Sequence, residues 1–177
     1  MAASLFLLVA VILAFAGGGG PWMLIATVAA ATAAGTRLPD LDTPLQLQHR
    51  SALVHSILPF YIATLDARTW PVAAGLGFGV GFHLAADLFP GTMRGFATIK
   101  LPLIGSIGAF PSYAWIAVNA LANLISALLI LERIAADRVA ACALGATAVL
   151  GGGYLLRAQG GLYALAGIVG LGWWWLR

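Results

Sequence analysis

Long apolar runs, broken at short polar or Gly/Pro-rich points, set the rhythm of this chain. The first, SLFLLVAVILAFA, ends at four glycines, and PWMLIATVAAATAA restores the apolar character at once. The pair reads as two short membrane helices joined at the glycines. Pro21 falls in a first turn, where its missing N–H costs nothing. The first run also resembles a signal-peptide core, with Ala14-Phe15-Ala16 as a small-residue cleavage pattern, but no Lys or Arg precedes it. Later breakers predict a third helix from about Arg50 to Leu65 and a fourth from about Pro71 to Leu88. A fifth is expected from about Pro111 to Leu131, a sixth from about Val139 to Leu156 and a seventh from about Leu162 to Trp175. Several are shorter than the ~20 residues that cross a bilayer comfortably, so about five to seven membrane helices fit, some short or re-entrant. Pro90 to Phe110 is too polar and too interrupted by Gly and Pro to span, and reads as a surface or re-entrant segment. The terminal WWWLR suits an interfacial anchor, with indole rings at the headgroups and Arg177 in water.

Composition strengthens this pattern. Of 177 residues, 62% are hydrophobic and only 8% charged, and the mean hydropathy is +0.97. A soluble domain is roughly one quarter charged. The expected class is therefore all-α: a polytopic integral membrane bundle, forming one domain over residues 1–177. The net charge of +3 lies on loops and helix ends without a basic stripe, which favours anionic lipid headgroups and argues against direct nucleic-acid binding. Cys142 is the sole cysteine, which excludes an internal disulfide and a thiolate-based metal site. Strict alternation of the helices puts Arg37, Arg50, Arg94, Lys100 and Arg157 on one side and Arg68, Arg133, Arg138 and Arg177 on the other. That balance sets no orientation by the positive-inside rule.

One stretch breaks the pattern. RLPDLDTPLQLQHRSALVHS, Arg37 to Ser56, carries two aspartates, two histidines and two arginines between apolar walls. The same alternation brings this stretch to the membrane face where the fourth helix ends in HLAAD. There His83 and Asp87 are i and i+4 on one helical face. All three histidines and three of the six acidic residues thus converge on one side. Imidazole with carboxylate suits Zn, Mn, Fe or Ni. Asp40, Asp42, His49, His55, His83 and Asp87 are the candidate ligands, for two ions or for one ion with carboxylates orienting the imidazoles. Pro39 stiffens the approach to Asp40, and Pro44 stops helix directly after Asp42. Pro59 removes the N–H that would bond the His55 carbonyl, predicting a kink or a free carbonyl beside the site.

Plainer roles compete. Asp40 and Asp42 could cap helices, His49 could neighbour a cap, and His83–Asp87 could be a structural pair. Ionisable groups within membrane segments are expensive, which favours function. Asn119 and Asn123, again i and i+4, are accounted for by interhelical hydrogen bonds. GLGFGVG, Gly75 to Gly81, lacks the Lys-Ser/Thr of a phosphate loop and fits close helix packing.

LPDLD, HRSALVHS and GFHLAADLFPG together resemble the signature of the YdjM-like family of inner-membrane metal-dependent hydrolases, also described as LexA-binding. The likeness covers roughly Arg37 to Gly91, the motif core. Two positions depart from it: Phe82 stands where many relatives have Ser, and Val54 where many have Thr. The resemblance implies a multi-pass inner-membrane protein, hydrolase activity and association with LexA. On this reading one or two divalent ions (Zn, Mn or Fe) activate water, and one carboxylate takes its proton. Arg50, beside a ligand, could clamp a phosphate or carboxylate, with Arg94 and Lys100 assisting. Interfacial snorkelling is the competing role for these three cations. Such a site favours an anionic, phosphoester or lipid-like substrate at the headgroup level. Two other classes fit the sequence: an ion or small-solute transporter using the cluster within the bilayer, and a non-catalytic membrane partner protein.

Overall fold

The computed structural model describes residues 2–16, 20–175 and 177. Among these the chain forms seven α-helices: α1 (Ala2–Phe15), α2 (Pro21–Gly35), α3 (Leu58–Thr64), α4 (Trp70–Asp87), α5 (Ala109–Ile134), α6 (Asp137–Leu155) and α7 (Gly161–Trp175). One small antiparallel ribbon, β1 (Lys100–Leu101) with β2 (Gly105–Ser106), pairs Lys100 with Ser106 and Leu101 with Gly105. Among the described residues the fold class is all-α, with this ribbon the one piece of sheet. Pro21 opens α2 in its first turn, and α4 to α7 match the expected helices closely.

The glycine run of α4 decides the architecture. Gly75 and Gly79 are one turn apart and meet α2, while Gly77 and Gly81 meet α5. A methyl group added at Gly79 would overlap the Thr32 carbonyl and the Cα of Gly35. One added at Gly81 would overlap the Leu124 side chain. With hydrogen in place of Cβ, neighbouring backbones approach closely and dispersion contacts multiply. Helix α4 is accordingly the central helix, packed against α2, α3, α5, α6 and α7. Residues Val72 to Gly81 are buried without a break.

The third helix is much shorter than expected. Only Leu58–Thr64 is helical, about 10 Å of rise, so the stretch from Arg50 to Leu65 is not one span. Two competitors win over helix in residues 50–57. Ser51 forms a parallel bridge with Lys100, supported by Ala52 N–H to Lys100 O (2.9 Å) and Lys100 N–H to Arg50 O (3.1 Å). The next residues are held by side chains one turn apart on α5. Trp115 Nε1 donates to the His55 carbonyl (2.8 Å), Asn119 Oδ1 accepts the Ile57 N–H (2.9 Å) and Asn123 Nδ2 donates to the Ser56 carbonyl (3.3 Å). Pro59 lies in the first turn of α3, so the His55 carbonyl has no helical partner. The asparagines thus serve an unwound segment, where helix-to-helix bonds were expected.

Between α4 and α5 the chain is irregular, with one 3-10 turn at Gly95–Ala97 and the ribbon. Helices α5 and α6 are long and apolar enough to cross a membrane. Their outer faces expose Val118, Leu121, Ile125, Leu129 and Val149. At the C-terminus Trp173 and Trp174 are exposed, and the Arg177 guanidinium lies 4.7 Å from the centre of the Trp173 ring.

Replacing Gly79 by Leu must separate α2 from α4. A loss of about 1–3 kcal/mol is expected, read as a lower melting temperature in detergent. Gly152→Ala, where an added methyl meets nothing within 4 Å, should leave the melting temperature nearly unchanged.

Candidate metal centre

The site begins with a closed loop. Pro39 starts a 3-10 turn over Pro39–Asp42 that buries Asp42 to 1% exposure. Asp42 Oδ1 accepts the Thr43 N–H (2.6 Å), and its Oδ2 accepts the N–H of Arg50 (2.6 Å). The Leu47 N–H returns to the Asp42 carbonyl (2.8 Å). Drawn in this way, Arg50 adopts a left-handed backbone with φ of 57°, a conformation costing a non-glycine residue roughly 1 kcal/mol or more. This geometry turns its side chain inward. Nη2 donates to Asp87 Oδ1 (2.6 Å) and Nη1 to the Ala97 carbonyl (2.5 Å).

The Asp87 carboxylate is therefore divided. Oδ1 belongs to Arg50. Oδ2 is buried and has no hydrogen-bond partner among the described residues. It stands 3.6 Å from His55 Nε2 and 3.5 Å from His83 Nε2. A tetrahedral ion with bonds of about 2.0–2.2 Å holds its ligand atoms about 3.3–3.6 Å apart. The two nitrogen-to-oxygen separations fall on that spacing. His55, His83 and Asp87 can thus hold a metal ion, each through one atom.

Both imidazoles are oriented from behind. His55 Nδ1 lies 3.2 Å from the Ser51 carbonyl, and His83 Nδ1 lies 3.0 Å from the Thr36 carbonyl. A carbonyl only accepts, so each Nδ1 carries a proton, and in the neutral ring that a metal requires each Nε2 turns its lone pair to the shared point. Tyr154 adds its hydroxyl 3.0 Å from His83 Nδ1, with its ring stacked on the imidazole at 5.8 Å.

The remaining candidates are arranged around this cluster, not within it. Asp40 is 63% exposed, with Oδ1 3.9 Å from His83 Nε2, at the rim. Asp42 closes the loop as described, and His49 faces it, with Nδ1 3.3 Å from Asp42 Oδ2 and a side chain 49% exposed. The structure does not bring all six expected ligands to one point. Arg50, expected as an anion clamp, has both terminal nitrogens engaged by Asp87 and Ala97. Lys100 donates to the carbonyls of Gly95 (3.1 Å) and Phe96 (2.7 Å), and Arg94 is exposed and is not among the cavity-lining residues.

The cluster lies in a cavity of about 720 Å³ whose lining includes Arg37, Tyr154 and Arg157. None of these three belongs to the sequence motifs. A signal existed: alternation puts Arg37 and Arg157 on the histidine side, and Tyr154 is one turn before Arg157. The carbonyls of Thr36 and Ser51 left no such trace, since every residue carries one. Phe82, in place of the serine common among the resembled relatives, would overlap any methyl added at Gly151, so its ring fills the α4–α6 contact. No family model, curated protein or solved structure matches the chain.

Asp87→Leu removes a ligand and strands the buried Arg50 cation, so a loss of about 3–5 kcal/mol is expected. Adding Arg50→Met should restore much of the melting temperature and none of the metal. Metal content equal to the parent in either variant, measured by elemental analysis, would reject the triad.

Proposed function

We propose that this chain is a multi-pass membrane hydrolase that uses a divalent metal to cleave an anionic phosphoester at the headgroup level, as its resemblance to the YdjM-like family implies. The observation that carries the reading is the unpartnered Asp87 Oδ2, buried and equidistant from two imidazole nitrogens. Three protein ligands around an open position characterise catalytic sites, whereas structural zinc sites close the fourth position with protein. The membrane part is supported by two helices able to cross a bilayer, by the apolar outer faces of the bundle and by the exposed terminal tryptophans.

A divalent ion held by the triad supplies a Lewis acid and a water activated near neutral pH. The chain supplies the rest. His55 and His83 keep their lone pairs forward because Ser51 and Thr36 hold the opposite nitrogens. Arg50 holds Asp87 turned, with Oδ1 engaged and Oδ2 free. Asp40, on the rim beside His83, is the base in reach of the cavity. In hydrolysis the water oxygen bonds to phosphorus, the ester P–O bond breaks, and Asp40 passes the proton to the departing alcohol oxygen.

The purified protein is expected to carry a divalent transition metal and to hydrolyse phosphoesters from a panel in a chelator-sensitive way. Asp40→Asn should lower kcat about 100-fold or more while keeping the metal. Metal-free protein that also fails to shift its melting temperature with added Zn, Mn or Fe would sink the metal centre. Bound metal with no turnover across the panel would sink the hydrolase.

Topology is open to a separate test. With Cys142 changed to Ser, single cysteines at the exposed positions Leu45 and Phe96 should label from the same side of the membrane. Labelling from opposite sides would exclude the arrangement.

A further inference from the structure

The cavity around the triad has two kinds of wall. One is cationic: Arg37 follows the end of α2 and Arg157 follows the end of α6, both exposed. Neither takes part in an ion pair among the described residues. The other wall is apolar, with Phe6 from α1 and Val149 and Leu150 from α6. These three side chains are 41%, 76% and 37% exposed, so the cavity reaches the outer surface of the bundle. Helix α2 packs against both α1 and α6 and contributes Ala33 to the lining, while Gly153 adds a second position with little side chain.

These features ask for a ligand with two ends. A water-soluble phosphate would satisfy the arginines but leave the apolar wall wet. A neutral lipid would cover that wall and leave two guanidinium groups without an anion. We infer that the cavity binds an anionic phospholipid, its phosphate between Arg37 and Arg157 and an acyl chain leaving past Phe6, Val149 and Leu150 into the bilayer. The inference deepens the proposed function and rests on it for the site's membrane setting. Arg37 and Arg157 become the residues that select the headgroup, through charge-assisted bonds to phosphate oxygens. Arg50 also lines the cavity, with Nη2 on Asp87 and Nη1 on the Ala97 carbonyl. Asp40 is the one carboxylate at the rim, and a divalent ion on the triad offsets its repulsion of the phosphate.

Gly153 allows a selective block. A Cβ added there meets nothing within 4 Å, so a side chain can start there unobstructed, and Gly153→Leu adds apolar bulk at the lining. Binding is measured on metal-loaded full-length protein in detergent, by native mass spectrometry, with dioleoyl phosphatidate, dioleoyl phosphatidylcholine and glycerol 3-phosphate as probes. Dioleoyl phosphatidate should bind about tenfold or more tightly than either other probe, the scale of one charge-assisted contact. Arg37→Gln with Arg157→Gln should erase its advantage over phosphatidylcholine. Gly153→Leu should weaken dioleoyl phosphatidate about tenfold, leaving glycerol 3-phosphate binding and metal content unchanged.

Equal binding of the two lipids by the parent would overturn the inference, as would unchanged long-chain binding in Gly153→Leu. The binding arm is independent of turnover. Selective phosphatidate binding without hydrolysis would remove the hydrolase and keep the lipid site. Hydrolysis of soluble phosphoesters without phosphatidate selectivity would do the reverse.

Discussion

Everything at the candidate centre depends on how one carboxylate is shared. Asp87 gives Oδ1 to Arg50 and keeps Oδ2 for the space between His55 and His83. A buried carboxylate would be costly alone, and a buried guanidinium would be costly alone. Together they offset each other, and Arg50 spends its remaining terminal nitrogen on the Ala97 carbonyl. The pair does more than cancel charge. It fixes the carboxylate plane, so the free oxygen points where both Nε2 atoms point. Arg50 in turn is placed by Asp42, whose own oxygens are taken up by backbone N–H groups. A residue that resembles a ligand in the sequence thus works two steps away from the candidate metal position.

The second constraint is the approach of α2 to α4. Gly35, Gly75 and Gly79 leave no room for a side chain between the helices. That closeness lets the Thr36 carbonyl, just past the end of α2, reach Nδ1 of His83 on α4. Close packing and ligand orientation are one arrangement. Widening the contact would loosen the imidazole as well as the helix pair.

The third is the unwound segment that carries His55. In the proposed bilayer setting, irregular backbone survives only where protein satisfies its polar groups. Trp115, Asn119 and Asn123 do this from consecutive turns of α5, and Lys100 does it from the ribbon. Freedom from helical geometry lets His55 face His83 across the site, with ring centres 5.6 Å apart and planes near perpendicular. A continuous helix from Arg50 would have tied the direction of His55 to that of its neighbours one turn away.

Periodicity and composition were enough to find most helices, because apolar runs bounded by Gly, Pro and charge are local features. The same holds for the rarity of ionisable groups, which singled out His55, His83 and Asp87 along with Asp40, Asp42 and His49, and for the i, i+4 spacing of His83 and Asp87. The glycine run announced close packing for a similar reason: a missing Cβ is written in the sequence wherever it occurs. What the sequence could not express was competition between distant partners. Residues 50–57 have helical potential, yet the bonds they make with Lys100 and α5 join positions 48 to 67 residues apart. The division of labour among six similar-looking ligands was hidden too. Whether Asp42 binds a metal or an amide depends on which N–H groups the folded loop brings within 2.6 Å. Residue types limited the chemistry available, and tertiary contacts chose which atoms were left free to perform it.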